Sequence, residues 1–281
     1  MSEQRPEVGV IGGSGFYSFL SDARTVEVDT PFGAPSEPPV VGTVDGRGVA
    51  FIPRHGRDHR LPPHRVNYRA NLWALRALGV RQVIAPCAVG SLKVELGPGT
   101  VVVPDQVVDR TWGREHTLYD AEGAVVHVPM ADPYCPHGRR AVLAAGEHDQ
   151  SPAGPGQPGP LTVADGGTLV VVNGPRFSTR AESRWHAAAG WSVIGMTGMP
   201  EVALARELAM CFTCVALVTD LDAGVEHGEG VTHAEVLEVF GRNVERLKAL
   251  VGAAVGRLPA DGADCACRHG LDGQKLPFDL P

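Results

Sequence analysis

Two short β-branched runs constrain this chain most: Leu169 to Val172, and Phe212 to Val218. Each is too short for a typical helix and too continuously apolar for a strand with one wet face. Each therefore reads as a strand buried on both sides. Each also meets polar or Gly/Pro residues at its C-terminal end. Open α/β sheets bind ligands outside the carboxyl ends of such strands. The second run delivers Thr219-Asp-Leu-Asp222 to that position. If the extended backbone continues through Leu221, Asp220 and Asp222 project to one side, as two acceptors able to read the donor hydrogens of a planar base. Spacing alone equally allows one of them to cap the next segment and the other to be solvated.

Further runs of the same kind follow the chain. Val8 to Ile11 predicts a strand entering Gly12-Gly-Ser-Gly15, a turn whose backbone can approach a ligand closely and whose N–H groups can cradle an anion, with the Ser14 hydroxyl added. A plain tight turn fits too. A dinucleotide loop fits poorly, because Ser18 stands where the last small residue of that fingerprint belongs. Val40 to Val44 and Val49 to Ile52 flank Asp45-Gly46, a hairpin signal. The second of these strands ends in Pro53-Arg-His-Gly-Arg-Asp-His59, where Arg54 offers a fork suited to phosphate oxygens. His55 and His59 have metal-ligand spacing, but Gly56 breaks the helix that such a motif needs and its Glu is missing, so phosphate binding is preferred over metal, with a solvated basic turn as the plain alternative. Val83 to Ala85 and Val101 to Val103 are further strands. Helices are expected at Val66 to Leu78, Arg139 to His148, Arg180 to Ala189, Pro200 to Met210 and from the capping box Thr232-x-x-Glu235 onward. The 151–160 stretch, rich in Pro and Gly, reads as a mobile loop too short to divide two domains.

Composition narrows the class of partner. The chain has 281 residues, 43% hydrophobic and 20% charged, with a formal net charge of −7 and no Lys/Arg-rich run. Nucleic acid and anionic membranes are therefore not expected as partners. No apolar run reaches the roughly 18 residues of a membrane span, and Met1 to Glu7 lacks a signal-peptide core. The six cysteines are scattered through an ordinary-sized chain rather than spaced as a secreted disulfide framework, which points to the cytoplasm. Cys211-x-x-Cys214 enters a buried strand as two small apolar residues, and no second pair stands at zinc-ribbon spacing.

Together, Gly12-Gly-Ser-Gly15, Thr30-Pro-Phe-Gly33, Arg54-His-Gly-Arg57, Val66-Asn-Tyr-x-Ala-Asn71, Gly90-Ser-Leu92, Gly174-Pro-Arg-Phe177, Met196-Thr197, Pro200-Glu201 and Thr219-Asp-x-Asp222 resemble the trimeric purine nucleoside phosphorylase family, and within it the 5′-methylthioadenosine phosphorylases. The resemblance runs from Val8 to Leu258 in order. It implies one α/β domain over 1–281, with a core at 8–258, a tail at 259–281, and a mixed, partly barrel-like sheet flanked by helices. It implies phosphorolysis of a 6-aminopurine nucleoside, with inorganic phosphate as co-substrate, no metal or organic cofactor, and a homotrimer, pairing of trimers into hexamers being left open. Carried over by motif, phosphate would meet Ser14, Arg54, His55, Cys87, the Ala88 backbone and Thr197. Met196 would underlie the ribose, and Phe177 and Ser178 would lie by the base. Asp220 and Asp222 would be the catalytic pair at the base edge, Asp220 protonated so as to donate to N7. His127 of a neighbouring subunit would approach the 5′ group. The 6-oxopurine enzymes of the family carry Glu where Ser178 stands and Asn where Asp220 stands, which argues for 6-aminopurines. Two departures stand out. Cys87 replaces a common Thr, and His233 resembles the histidine by which the hydroxyl-nucleoside enzymes contact the 5′-OH. Adenosine or other 5′-substituted nucleosides are thus the alternative substrates, and a hydrolytic nucleosidase, an oxidoreductase built on Gly12 to Gly15 and a non-catalytic nucleoside binder are the alternative functions.

Overall fold

Each apolar run named above forms a strand, and the sheet that they build forks. The chain is seen here as a computed structural model that describes residues 5–16, 19–123, 125–148, 161–225, 230–260 and 264–281. The Ser14 side chain and the 151–160 loop lie outside that description. The strands are β1 (Val8–Gly12), β2 (Ser21–Thr25), β3 (Val40–Val44), β4 (Arg47–Pro53), β5 (Gln82–Ser91), β6 (Val101–Val103), β7 (Gln106–Arg110), β8 (Val163–Asp165), β9 (Thr168–Val172), β10 (Val193–Gly195) and β11 (Cys211–Leu221). The helices are α1 (Tyr68–Ala77), α2 (Pro136–Glu147), α3 (Arg180–Ala188), α4 (Gly198–Glu207) and α5 (His233–Arg257). All strands join one mixed sheet, ordered β2-β3-β4-β1-β5-β10-β9-β7, with a branch from β5 through β11 and β6 to β8. This agrees with the expected mixed sheet flanked by helices.

Local chemistry explains most of the elements. Asp45 and Gly46 both take positive φ, 49° and 79°, which is what a two-residue hairpin between β3 and β4 requires. Asn67, Thr179 and Thr232 accept from the backbone N–H of Ala70, Glu182 and Glu235, and the last two complete capping boxes. β11 is buried from Cys211 to Thr219, with parallel β5 along one edge and antiparallel β6 on the other. The core runs through Ile52, Leu72, Val83, Leu204, Phe212 and Val218 on one side of the sheet, and through Val10, Phe51, Val215, Leu247 and Val251 on the other. β2 is exposed throughout and has no apolar pattern to announce it. Among the described residues no helix is long and apolar enough to cross a membrane.

The fork leaves a gap in the pairing of β5. β1 pairs β5 only from Gln82 to Ile84, and β10 pairs it only at Gly90 and Ser91. Among the described residues, that edge of β5 has no strand partner from Ala85 to Val89, while β11 covers the other edge throughout. Ala88 is exposed there, in the middle of an otherwise buried strand.

The described part of the tail is not a loose appendage. Leu276, Phe278 and Leu280 pack on the core, and Phe278 stacks on Tyr119 at 5.0 Å.

Candidate active site

Two clusters flank the gap. The first lies where β4 and β1 end. Arg54 is buried, and its fork grips Glu201 of α4, with Nε donating to Oε1 at 2.5 Å and Nη2 to Oε2 at 3.1 Å. Nη2 also donates to the Ile11 carbonyl and Nη1 to the Pro86 carbonyl. Four of the five guanidinium N–H groups are therefore engaged within the chain, leaving one on Nη1. Burial alone would lower the pKa of Arg54, but Glu201 outweighs it and holds the guanidinium charged. The sequence reading treats this fork as a phosphate clamp; in the fold the fork itself is closed on a carboxylate.

His55 follows in the same turn. Its Nδ1 lies 2.8 Å from the Leu61 carbonyl, so Nδ1 carries the proton and Nε2 keeps its lone pair. Burial, then the Arg54 charge, lowers its pKa to about 4, and the ring is neutral at pH 7. It stacks on His59 at 4.2 Å. Burial, then the nearby His233 at the start of α5 and Arg54, lowers the pKa of His59. Cys87 points at Cys214, with 3.7 Å between the sulfurs, and lies beside Arg54. Cys214 is thus the partner of Cys87, not of Cys211.

The second cluster lies at the C-terminal end of β11. A register shift between Val218 and Asp220 bulges the strand at Thr219, and the strand still reaches Leu221. Asp220 and Asp222 both flank Gly90. A methyl group placed on Gly90 would come within 2.9 Å of Asp220 Oδ2 and 3.5 Å of Asp222 Cβ. Gly90 is therefore what lets the two carboxylates lie over β5. Thr219 Oγ1 donates to Asp220 Oδ1 at 2.7 Å. Burial, with Asp222 and Glu235 adding to it, raises Asp220 to a pKa of about 6. Asp222 is buried, and among the described residues its Oδ2 has no hydrogen-bond partner. The cap-and-solvent alternative does not describe Asp222, which is buried, while Asp220 is half-buried.

The clusters share one ruler. Cys87 and Gly90 are three residues apart on β5, on the order of 10 Å at the usual rise. That matches the reach from an anion at C1′ to the far edge of a purine. Thr197 and Met196 enter from the end of β10. Thr197 is the N-cap of α4 and keeps its hydroxyl out of the cap, and Met196 packs against Gly174. Phe177 and Ser178 are half-buried in the turn before α3, whose Ser183 hydroxyl accepts from Gly224 just past Asp222. His127 is exposed, and among the described residues its backbone bonds only to Gln274 of the tail and it joins neither cluster.

Four residues escaped the sequence reading of the site. Glu201 holds Arg54, and Gly90 clears room for the carboxylates. Arg114 donates to the carbonyls of Asn173, Met196 and Met199, fixing the ends of β9 and β10 relative to α4. His186, with Trp185 and Trp191 rings each 5.4 Å away, faces Asp222. Pro200-Glu201 and Gly90-Ser-Leu92 were visible as motifs, but their roles depend on distant partners. Gly15 shows the reverse. A side chain there would meet Val244 of α5 at 2.6 Å, so packing explains this glycine without a ligand.

Residues 7–256 match the model of the phosphorylase superfamily. The chain belongs to that family. It is 59% identical to a purine nucleoside phosphorylase of Streptomyces coelicolor over 99% of this chain and 98% of the relative. It is 57% identical to the S-methyl-5′-thioadenosine phosphorylase of Mycobacterium tuberculosis, over 98% and 97% of the two chains. Among solved structures, a methylthioadenosine phosphorylase from an antarctic soil metagenomic library superposes with a TM-score of 0.88 at 36% identity, covering 97% of this chain and 93% of that one. The Schistosoma mansoni methylthioadenosine phosphorylase in complex with adenine gives 0.81 at 39% identity, covering 91% and 93%.

Proposed function

We propose that this phosphorylase cleaves 5′-methylthioadenosine with orthophosphate, giving adenine and 5-methylthioribose 1-phosphate. The observation that carries the reading is the half-buried Asp220 and the buried Asp222 over Gly90, three residues along β5 from Cys87 at the Arg54 corner. Breaking the C1′–N9 bond develops oxocarbenium character on the ribose and negative charge on the purine. A phosphate oxygen attacks C1′ from the anion end. Asp220, with its raised pKa, gives a proton to N7, so that neutral adenine leaves. Asp222 accepts from the 6-amino group, which would give its orphaned Oδ2 a partner. At the anion end the remaining Arg54 N–H, the unpaired main chain near Ala88 and the Thr197 hydroxyl are the donors. The bare Nε2 of His55 suits a phosphate oxygen that carries a proton. Ser14 and Cys87 complete that end of the reading.

Methylthioadenosine is chosen because Asp220 and Ser178 stand where 6-oxopurine enzymes have Asn and Glu, and because relatives at 57% and 56% identity carry that name. Phosphate is a co-substrate, and the chemistry asks for no organic cofactor. A homotrimer belongs to the reading, as the exposed His127 has no ligand to meet within its own chain. Six free thiols support a cytoplasmic location.

A second reading, preference for adenosine, is favoured by His233, a polar group facing His59 where a methylthio group would want an apolar neighbour. The kcat/KM values for methylthioadenosine, adenosine and inosine separate the two. The first reading expects methylthioadenosine ahead of adenosine and inosine last. Adenosine ahead of methylthioadenosine would establish the second.

A further inference from the structure

We infer that Cys135, Cys211, Cys265 and Cys267 form a structural tetrathiolate site for a zinc ion. The four come from three separate segments: the N-cap of α2, the first residue of β11, and the Cys265-Ala-Cys267 turn of the tail. Sequence spacing hides them, because no two pairs have zinc-ribbon form. The fold brings all four sulfurs within 4.8 Å of one another, and all four residues are buried. A tetrahedron of sulfurs about 2.3 Å from zinc has edges of roughly 3.8 Å. Cys135 and Cys265 already lie 3.5 Å apart, so rotamer adjustments of under about an ångström close the set. Four thiolates in a closed tetrahedron select zinc, with no open position for catalysis.

The surroundings fit an anionic cluster. Loading zinc releases four thiol protons to solvent and leaves the site with two negative charges. Cys135 is the N-cap of a twelve-residue helix, whose N-terminal dipole favours a negative sulfur. Arg206 is buried beside Cys267, and among the described residues its Nε has no hydrogen-bond partner. An N–H donor next to thiolate is a common outer-shell arrangement. A cluster of four neutral thiols would leave that guanidinium without its counter-charge.

The site would act as a clamp. Cys211 opens β11 and Asp220 lies nine residues on, a distance on the order of 30 Å, so the metal is remote from the reaction. It would fasten the tail to the core. Gln274 of that tail bonds both the N–H and the carbonyl of His127, and Arg76 donates to the carbonyl of Pro281. Zinc would therefore stabilise the segment that presents His127.

The test is metal analysis of the full-length protein, purified with reductant and without chelator. About one zinc per chain is expected, with at least a ten-fold loss in the Cys265→Ser/Cys267→Ser variant and adenine release at 25 °C within about two-fold of wild type. Wild-type protein free of zinc after incubation with the ion, its four thiols all open to alkylation, overturns the inference. So does the mass deficit of two disulfides in protein from reducing cytoplasm, or zinc that persists in the variant. Should the variant fail to fold, cobalt substitution of wild type decides: thiolate-to-cobalt charge-transfer bands of a tetrahedral site support it, and their absence overturns it.

Discussion

The anion end and the base end of this cleft are built on opposite principles. At the anion end, charge is already compensated inside the chain. Arg54 closes on Glu201 and two carbonyls, and His55 is neutral with one nitrogen committed to Leu61. At the base end, charge is left open. Asp222 keeps a buried oxygen without a partner, and Asp220 is poised between its protonated and ionised forms near pH 6. The first arrangement makes a rigid corner that offers a few well-placed donors. The second makes a site whose polar groups are satisfied only when a ligand with complementary donors and acceptors arrives. Damage at one end should therefore appear mainly as lost stability, and at the other mainly as lost turnover.

Asp220→Asn breaks the contrast most strongly. An amide cannot give up a proton to N7, and adenine release from methylthioadenosine should fall by about 10²–10⁴ in kcat/KM, with the melting temperature unharmed at pH 7. Glu201→Ala is the mirror experiment. It leaves Arg54 buried without a counter-ion and should cost about 3–5 kcal/mol in urea unfolding, far more than it takes from catalysis in the molecules still folded. If Glu201→Ala abolished turnover without lowering stability, the anion end would be the more labile of the two.

Acidity sharpens the comparison. Raised to about 6, Asp220 should make kcat/KM for methylthioadenosine decline roughly ten-fold per pH unit above that value, if its protonated form in the free enzyme is the active one. Stability moves the same way for this group. Its folded pKa lies above the unfolded value, so its contribution is complete below about 4 and is lost as pH rises through about 6. Asp220→Asn should accordingly raise the melting temperature at pH 8 and leave it nearly unchanged at pH 4. His55 has the opposite sign. Its folded pKa is lowered to about 4, so its contribution is present above about 6.5 and disappears as pH falls through about 4. A flat pH profile in the Asp220→Asn enzyme beside a sloping wild type would assign the slope to this residue.

The smallest expected effect concerns the first turn of α5, where His233 lies near His59 and Glu235 near Asp220. Thr232→Ala removes the side chain that accepts from Glu235 and should cost about 1 kcal/mol in unfolding, with a change in KM for the nucleoside of no more than a few-fold.

What the sequence made legible follows from the range of each interaction. Strands buried on both faces, the Asp45-Gly46 hairpin and the capping box at Thr232 rest on neighbours in the chain, and they are readable from it. The alignment of Asp220 with Asp222 was conditional on the strand continuing, and a bulge at Thr219 intervenes without ending it. Partners far apart in sequence were hidden. Arg54 reads as a free fork until Glu201, 147 residues later, is seen to fill it. Cys211 and Cys214 read as two small apolar residues of one strand, yet Cys214 turns to Cys87 and Cys211 to the tail. β2, β7, β8 and β10 carry too little apolar pattern to be distinguished from loops.

The most direct measurement is adenine release from methylthioadenosine by enzyme dialysed free of phosphate, then after orthophosphate is restored. The account predicts negligible release before addition, and after it one pentose 1-phosphate formed for each adenine. Undiminished release in the absence of phosphate, with free pentose as the product, would contradict it.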